Sequence, residues 1–206
     1  MRKCVYYLIT VALIISSCSK TPEDKANLLI KEAMFKILFN AESYEPVETI
    51  VDSAFTPFDD PEFYKQTLAL YELGNEIERY KNQAKKAEED IAHYKDMLRI
   101  MYSNYEKVNL NRAQEEYDNA LAKKSKAEEK INKLVENLKA DIRQKPLFIG
   151  FKAKHRYRAK SNTGYTNFGD AIFLFDKDMT QIVYEWDVDD YEYKQVQSIY
   201  EYMRKN

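Results

Sequence analysis

The chain has 206 residues, with 32 Lys+Arg set against 34 Asp+Glu and a sequence pI near 5.9. That balance lacks the basic excess of a nucleic-acid binder, and 4 glycines beside 17 tyrosines exclude a collagen-like or glycine-rich chain. The length suits one domain, or one domain carrying an extension.

Residues 1–17 read as an export signal. Arg2 and Lys3 make a cationic start, an uncharged apolar run follows from Cys4 to Ile15, and Ser16 and Ser17 precede Cys18. The run is too short to span a bilayer comfortably. Ile15, Ser16, Ser17 and Cys18 resemble the lipobox of bacterial lipoproteins, which implies cleavage before Cys18 and acylation of its sulfur. Several acyl chains hold a protein stably where one is marginal. The chain is therefore expected in the cell envelope, lipid-anchored at Cys18, on either face of the outer membrane. With Cys4 removed and Cys18 acylated, no thiol remains for a disulfide, a metal or nucleophilic attack.

A helix is predicted next. Thr21 can cap it, Pro22 suits its first position, and Glu23 and Asp24 suit the positive end of its dipole. Ala26, Leu29, Ile30, Ala33, Met34, Ile37 and Leu38 recur at helical spacing, and Leu28, Phe35 and Phe39 widen the stripe, so deep packing is expected. Only two or three residues separate this helix from Cys18, which places the fold close to a bilayer. After Pro46, alternation over residues 47–54 predicts a strand, and "TPFDDP" a loop.

From Glu62 to Lys145 no proline occurs and Gly74 is the single glycine. Apolar residues from Leu70 to Val108 step by threes and fours, and a second seam runs from Ala113 to Leu138. With Asn111 as a cap and Gln114 three residues on, a turn near Asn109 is expected. Ala84 and Ala87 would then face Leu134 and Ile131, and Ile91 would face Ala127, small against large. Such an antiparallel coiled-coil hairpin would project on the order of 50 Å.

Three β-runs follow, residues 147–160, 168–176 and 180–187. Matching apolar faces pairs His155 with Phe173, Ala153 with Phe175 and Tyr157 with Ala171, which sets Arg158 beside Asp170 and Lys152 beside Asp176. The outer pairing sets Phe175 against Ile182, Phe173 against Tyr184 and Ala171 against Trp186. Val196, Ile199, Tyr200 and Met203 stripe a short C-terminal helix, packed on the sheet margin or on the hairpin base.

The expected fold class is α+β. An N-terminal helix lies on a small antiparallel sheet of three to four strands, with the hairpin inserted after the first strand and a short helix at the end. The parts are residues 1–17 (signal), 18–60 and 146–206 (head), and 61–145 (hairpin). The segments "SYEPVETIVDSAF" and "FIGFKAKHRYRAKSNTGYTNFGDAIFLFDKDMTQIVY" resemble lipoproteins of unknown function common in Bacteroides and its relatives. The second also resembles a helix-plus-antiparallel-sheet module whose pattern places His155, Tyr157, Arg158, Asn162 and Gly164 as they stand here. The likeness implies fold and location, and brings no reaction, cofactor or catalytic residue.

Chemistry-bearing patterns are sparse. There is no G-x-S-x-G elbow, P-loop or dinucleotide fingerprint, so no enzyme and no cofactor are expected. His93 reads as a solvated helix residue and His155 as an inward-facing strand residue. The acidic runs "DVDDYE" and "FDKDMTQ" lack the glycine and the ligand number of a calcium loop, so no metal is expected. The candidate ligand-binding residues are Lys152, Lys154, Arg156 and Arg158, which with Lys160 place a cation at every second position of one strand. They are either a wet sheet face or a site for lipid phosphate or acidic glycan. The expected partners are a membrane through the lipid anchor and an envelope protein docked on the hairpin, with no nucleic acid.

Overall fold

A computed structural model describes residues 21–205; the expected export signal (residues 1–17) and the expected acylation site Cys18 lie outside the described residues. The protein is α+β; among the described residues there are four α-helices and a four-stranded antiparallel sheet in the order β1-β2-β3-β4. The described residues divide into a head, built from residues 21–59 and Leu147–Tyr193, and a helical unit built from Asp60–Pro146 and residues 194–205.

In the head, helix α1 (Pro22–Ile37) starts at a reciprocal cap: the Asp24 amide donates to Thr21 Oγ1 at 3.2 Å, and the Thr21 amide donates to Asp24 Oδ2 at 3.1 Å. Its buried face, Ala26, Ile30 and Met34, joins one core with Tyr44, Ala153, Phe173, Phe175 and Met179. The deep packing expected of this helix is confined to that face. At 100° per residue Leu28 and Phe35 fall opposite Ala26, and they are 45% and 47% exposed. Phe39 lies beyond the end of the helix and is 82% exposed.

Strand β1 (Glu45–Phe55) begins earlier than the alternation predicts and takes in Pro46, which an edge strand tolerates beside its bulge at Pro46/Glu48. It pairs with β2 (Phe148–Lys160), whose inner neighbour is β3 (Thr166–Phe175). The β2–β3 register differs from the expected one by two residues: Ala153 meets Phe173 and His155 meets Ala171. Slipping by two keeps every side chain on its face, so face matching cannot distinguish the two registers. Strand β4 (Ile182–Asp187) keeps the expected Phe175–Ile182 pair, but an irregularity at Leu174/Phe175 sets Leu174 against Tyr184 and Ile172 against Trp186. Tyr184 and Trp186 therefore lie on the face of the basic row and not against α1.

The head chain closes on itself where the helical unit departs. The Thr56 amide donates to the Leu147 carbonyl, and the Leu147 amide donates to Thr56 Oγ1, each at 3.0 Å.

The helical unit holds α2 (Pro61–Ile100) and α3 (Asn104–Arg143), each of 40 residues and so about 60 Å long. The turn falls at residues 101–103, with Ser103 Oγ accepting from the Tyr105 amide at 3.2 Å. It does not fall near Asn109. Apolar spacing runs unbroken through Leu98, Met101, Tyr105 and Val108, and no glycine or proline marks the true turn. The earlier turn changes the register. Positions equidistant from it set Ala84 opposite Ala120 and Ile91 opposite Ala113, not opposite Leu134-side residues and Ala127. Ala84, Ala87, Ala113, Ala120 and Ala127 are all buried along this seam, where small side chains let two helices approach closely. Farther from the turn, Phe63, Leu138 and Met203 form a second core with Leu70, Leu134, Ile199 and Tyr200. The stripe of α4 (Tyr191–Lys205) thus belongs, from Lys194 onward, with the hairpin and not with the sheet.

Asn109 lies within the seam. It is 4% exposed; its Oδ1 accepts from Arg112 at 3.0 Å, while its Nδ2 has no hydrogen-bond partner. Asn109→Leu is expected to raise stability by about 1–2 kcal/mol, because a buried orphan donor is removed. Urea unfolding followed by helical circular dichroism checks this.

Candidate functional site

Alternation places Lys152, Lys154, Arg156, Arg158 and Lys160 on one face of β2, as the sequence predicts. What they meet there decides their chemistry. Strand β1 sets Glu45 opposite Arg158, Glu48 opposite Arg156, Ile50 opposite Lys154 and Asp52 opposite Lys152. Arg158 donates twice to Glu45 Oε2, once from Nε at 2.8 Å. Arg156 lies 3.8 Å from Asp170, with its guanidinium 5.6 Å from the Phe168 ring centroid. Asp170 thus faces Arg156 instead of Arg158, a consequence of the two-residue slip. Lys152 Nζ reaches both oxygens of Asp59, at 2.7 and 2.9 Å. Asp59 is only 7% exposed and also accepts from the Phe55 amide at 2.8 Å.

Asp176, expected beside Lys152, instead organises the β3–β4 turn. Its carboxylate accepts from the Thr180 hydroxyl and amide and from the Gln181 amide, and these bonds, the hydroxyl first, hold its pKa below the usual carboxylate value. The row is a ladder of paired charges. Lys154 stands apart, exposed between Ile50 and Ile172, with Trp186 next along the same rung.

The inner face holds the most deeply buried polar side chain among the described residues of the head. His155 is 2% exposed; its Nε2 lies 2.8 Å from the Tyr44 hydroxyl and its Nδ1 2.9 Å from Thr49 Oγ1. Thr49 donates its one hydroxyl proton to Asn27 Oδ1 at 2.7 Å. Thr49 must therefore accept from Nδ1–H, which leaves the Nε2 lone pair to accept from Tyr44. The protons run in one direction, Tyr44 to His155 to Thr49 to Asn27, and tie β1, β2 and α1 together. Tyr157 stacks on the imidazole at 5.8 Å and 11°, and Phe173 meets it edge-on at 6.0 Å. Gly169 lies beneath Tyr157; a Cβ there would stand 2.6 Å from the ring.

Burial pushes the Tyr44 phenol up to about 12, with Tyr157 adding to the shift, and burial lowers His155 against a small opposing pull from Asp170. Both groups are thus held neutral, and both imidazole nitrogens are engaged. A lone pair occupied by a phenol is poorly suited to general-base work. Sequence reasoning placed His155 inward but missed Tyr44 and Thr49, because their contact depends on the β1–β2 register.

The lowered pKa has a direction in stability. The unfolded chain takes up a proton near 6.5 as pH falls, before the folded chain does. This group's contribution is complete above that value and is lost as pH drops from there through the folded pKa, with a slope of at most about 1.4 kcal/mol per pH unit. His155→Gln is expected to flatten that decline, as read from urea midpoints between roughly pH 7 and pH 5.

Two further features are exposed. A groove of about 260 Å³ beside the start of α1 is lined by Pro22, Lys25, Phe151, Lys177, Asp178 and Met179. At the hairpin turn, Ile100, Met101, Tyr102, Tyr105 and Val108 are between 59% and 81% exposed. Among the described residues, no group of three or more His, Cys, Asp or Glu side chains is placed to hold a metal, and no helix is long and apolar enough to cross a membrane. No family model, curated protein or solved structure matches this chain.

Proposed function

We propose that this is an acylated cell-envelope protein, anchored through Cys18, that docks another envelope protein on the tip of its helical hairpin. The carrying observation is the tip itself. Five apolar or aromatic side chains stand exposed around one turn, where Tyr and Met are the residue types that interface cores favour. Behind the tip the seam is rich in buried small side chains, Ala84, Ala87, Ala113, Ala120 and Ala127, which suits a spacer. The neutral, fully engaged His155 supports a structural reading over a catalytic one.

The alternative, an anion site on Lys152, Lys154, Arg156 and Arg158, is weakened by the carboxylates facing three of the four.

A photo-crosslinker at position 102, introduced in the native membrane, is expected to give one discrete protein adduct. Tyr102→Glu combined with Ile100→Glu should abolish the association, and so should excision of residues 84–120, which removes matched lengths of both helices. Recovery of the same partner after excision would overturn the proposal.

A further inference from the structure

Helix α1 has two apolar faces. One is the core face; the other carries Leu28 and Phe35, exposed by 45% and 47%, with Phe39 beyond the helix end, exposed by 82%. Leu28 and Phe35 are seven residues apart, hence on one line of the helix and about 10 Å from each other. Lys31 and Lys36 flank them, and Lys31 Nζ lies 5.9 Å from the Phe35 ring centroid, whereas Lys25 Nζ donates to the Asp178 carbonyl at 3.4 Å.

We infer that this outer face of α1 is a bilayer-contacting surface, on which Leu28 and Phe35 dip into the lipid while the flanking lysines reach up to the headgroups. The inference rests on the acylation of Cys18 proposed above. Cys18 precedes the cap Thr21 by three residues, which span at most about 11 Å. An acyl group in the bilayer therefore holds the start of α1 within that distance of the headgroups. A helix so tethered needs only a few apolar side chains to lie along the interface, buried about 5–10 Å deep. Lysine stems cover apolar surface while their ammonium groups stay wet.

A stable protein interface uses about 20–30 residues a side, far more than these few side chains supply. Charge adds little: on this face Lys31 and Lys36 are offset by Asp24 and Glu32. The attraction is apolar, so a bilayer is the occupant whether or not its lipids are anionic.

The mature chain has no free thiol, so single spin labels can be placed on the acylated protein through Leu28→Cys, Phe35→Cys and, on the opposite face of the sheet, Lys160→Cys. In phosphatidylethanolamine–phosphatidylglycerol vesicles, the ratio of oxygen to nickel-chelate accessibility should rise several-fold at 28 and 35 over that at 160. Near-ultraviolet circular dichroism confirms the fold of each labelled protein, and intact mass confirms the acyl group. Three results overturn the inference. An acylated protein with labels at 28 and 35 as aqueous as that at 160 defeats this inference alone. Spin–spin broadening at 35 assigns the face to a second copy of the chain. A processed chain without acyl mass defeats both this inference and the anchor it rests on.

Discussion

Phe173→Ala is expected to lower the unfolding free energy by about 3–5 kcal/mol, the largest loss for any single truncation in the head. Phe173 is 1% exposed and sits in the core with Ala26, Ile30 and Met34. Its cross-strand neighbour on β2 is Ala153, whose small side chain leaves the volume that the ring fills. Nothing nearby can collapse into that space, because Ala153 is fixed in the central pairing and α1 is seated on the sheet. The loss extends beyond the cavity, since Phe173 also supports the His155 ring edge-on. Phe168→Ala, on the other face and 60% exposed, is the comparison; it should cost under about 1 kcal/mol, mostly its contact with Arg156. Urea denaturation of both variants checks the pair, and similar midpoints would show that the core does not lie where the register puts it.

Lys152→Met is expected to cost about 3 kcal/mol, and Lys154→Met less than about 0.5 kcal/mol, although the two lysines are alternate members of one row. The difference comes from Asp59. Its side chain is 9% exposed against 22% for that of Lys152, so removing the lysine leaves a largely desolvated carboxylate with the Phe55 amide as its remaining hydrogen-bond donor. A buried carboxylate stripped of its partner cation destabilises the fold. Lys154, exposed between two isoleucines, loses little. A loss below about 1 kcal/mol for Lys152→Met would mean that water reaches Asp59. The double variant Asp59→Leu/Lys152→Met should recover much of the loss, because an apolar pair leaves no charge behind.

These two residues also show what was legible. Alternation from Lys152 to Lys160 fixed the face on which each cation lies, because side chains in an unbulged strand alternate. It could not say which carboxylate each cation meets, since a slip of two residues changes every partner and no face. The acidic positions Glu45, Glu48 and Asp52 stood in the sequence, but Glu45 precedes the alternating run from which the strand was read, and no β1–β2 register was derived to pair the other two. The bulge at Leu174/Phe175 had no composition mark, and it alone moved Tyr184 and Trp186 across the sheet. In α1 the cap and the buried stripe were plain. Reading Leu28 and Phe35 as part of that stripe was the error, and the helical wheel places them opposite. Along the hairpin, heptad spacing gave two helices but hid the turn, because apolar side chains at the tip continue the spacing without being buried.

The paired hydrogen bonds between Thr56 and Leu147 make the two ends of the helical unit near neighbours on the head. For the sheet, everything from residue 60 to residue 146 is then equivalent to one oversized β-turn. The cost of closing a loop grows only with the logarithm of its length, so the sheet is nearly indifferent to how much chain departs there. Segments of seven residues can be taken from both helices at matched distances from the tip, or added to both, and the sheet register should not change. Arm length is thus a free variable in this architecture, open to tuning by selection or by an engineer as a replaceable cassette.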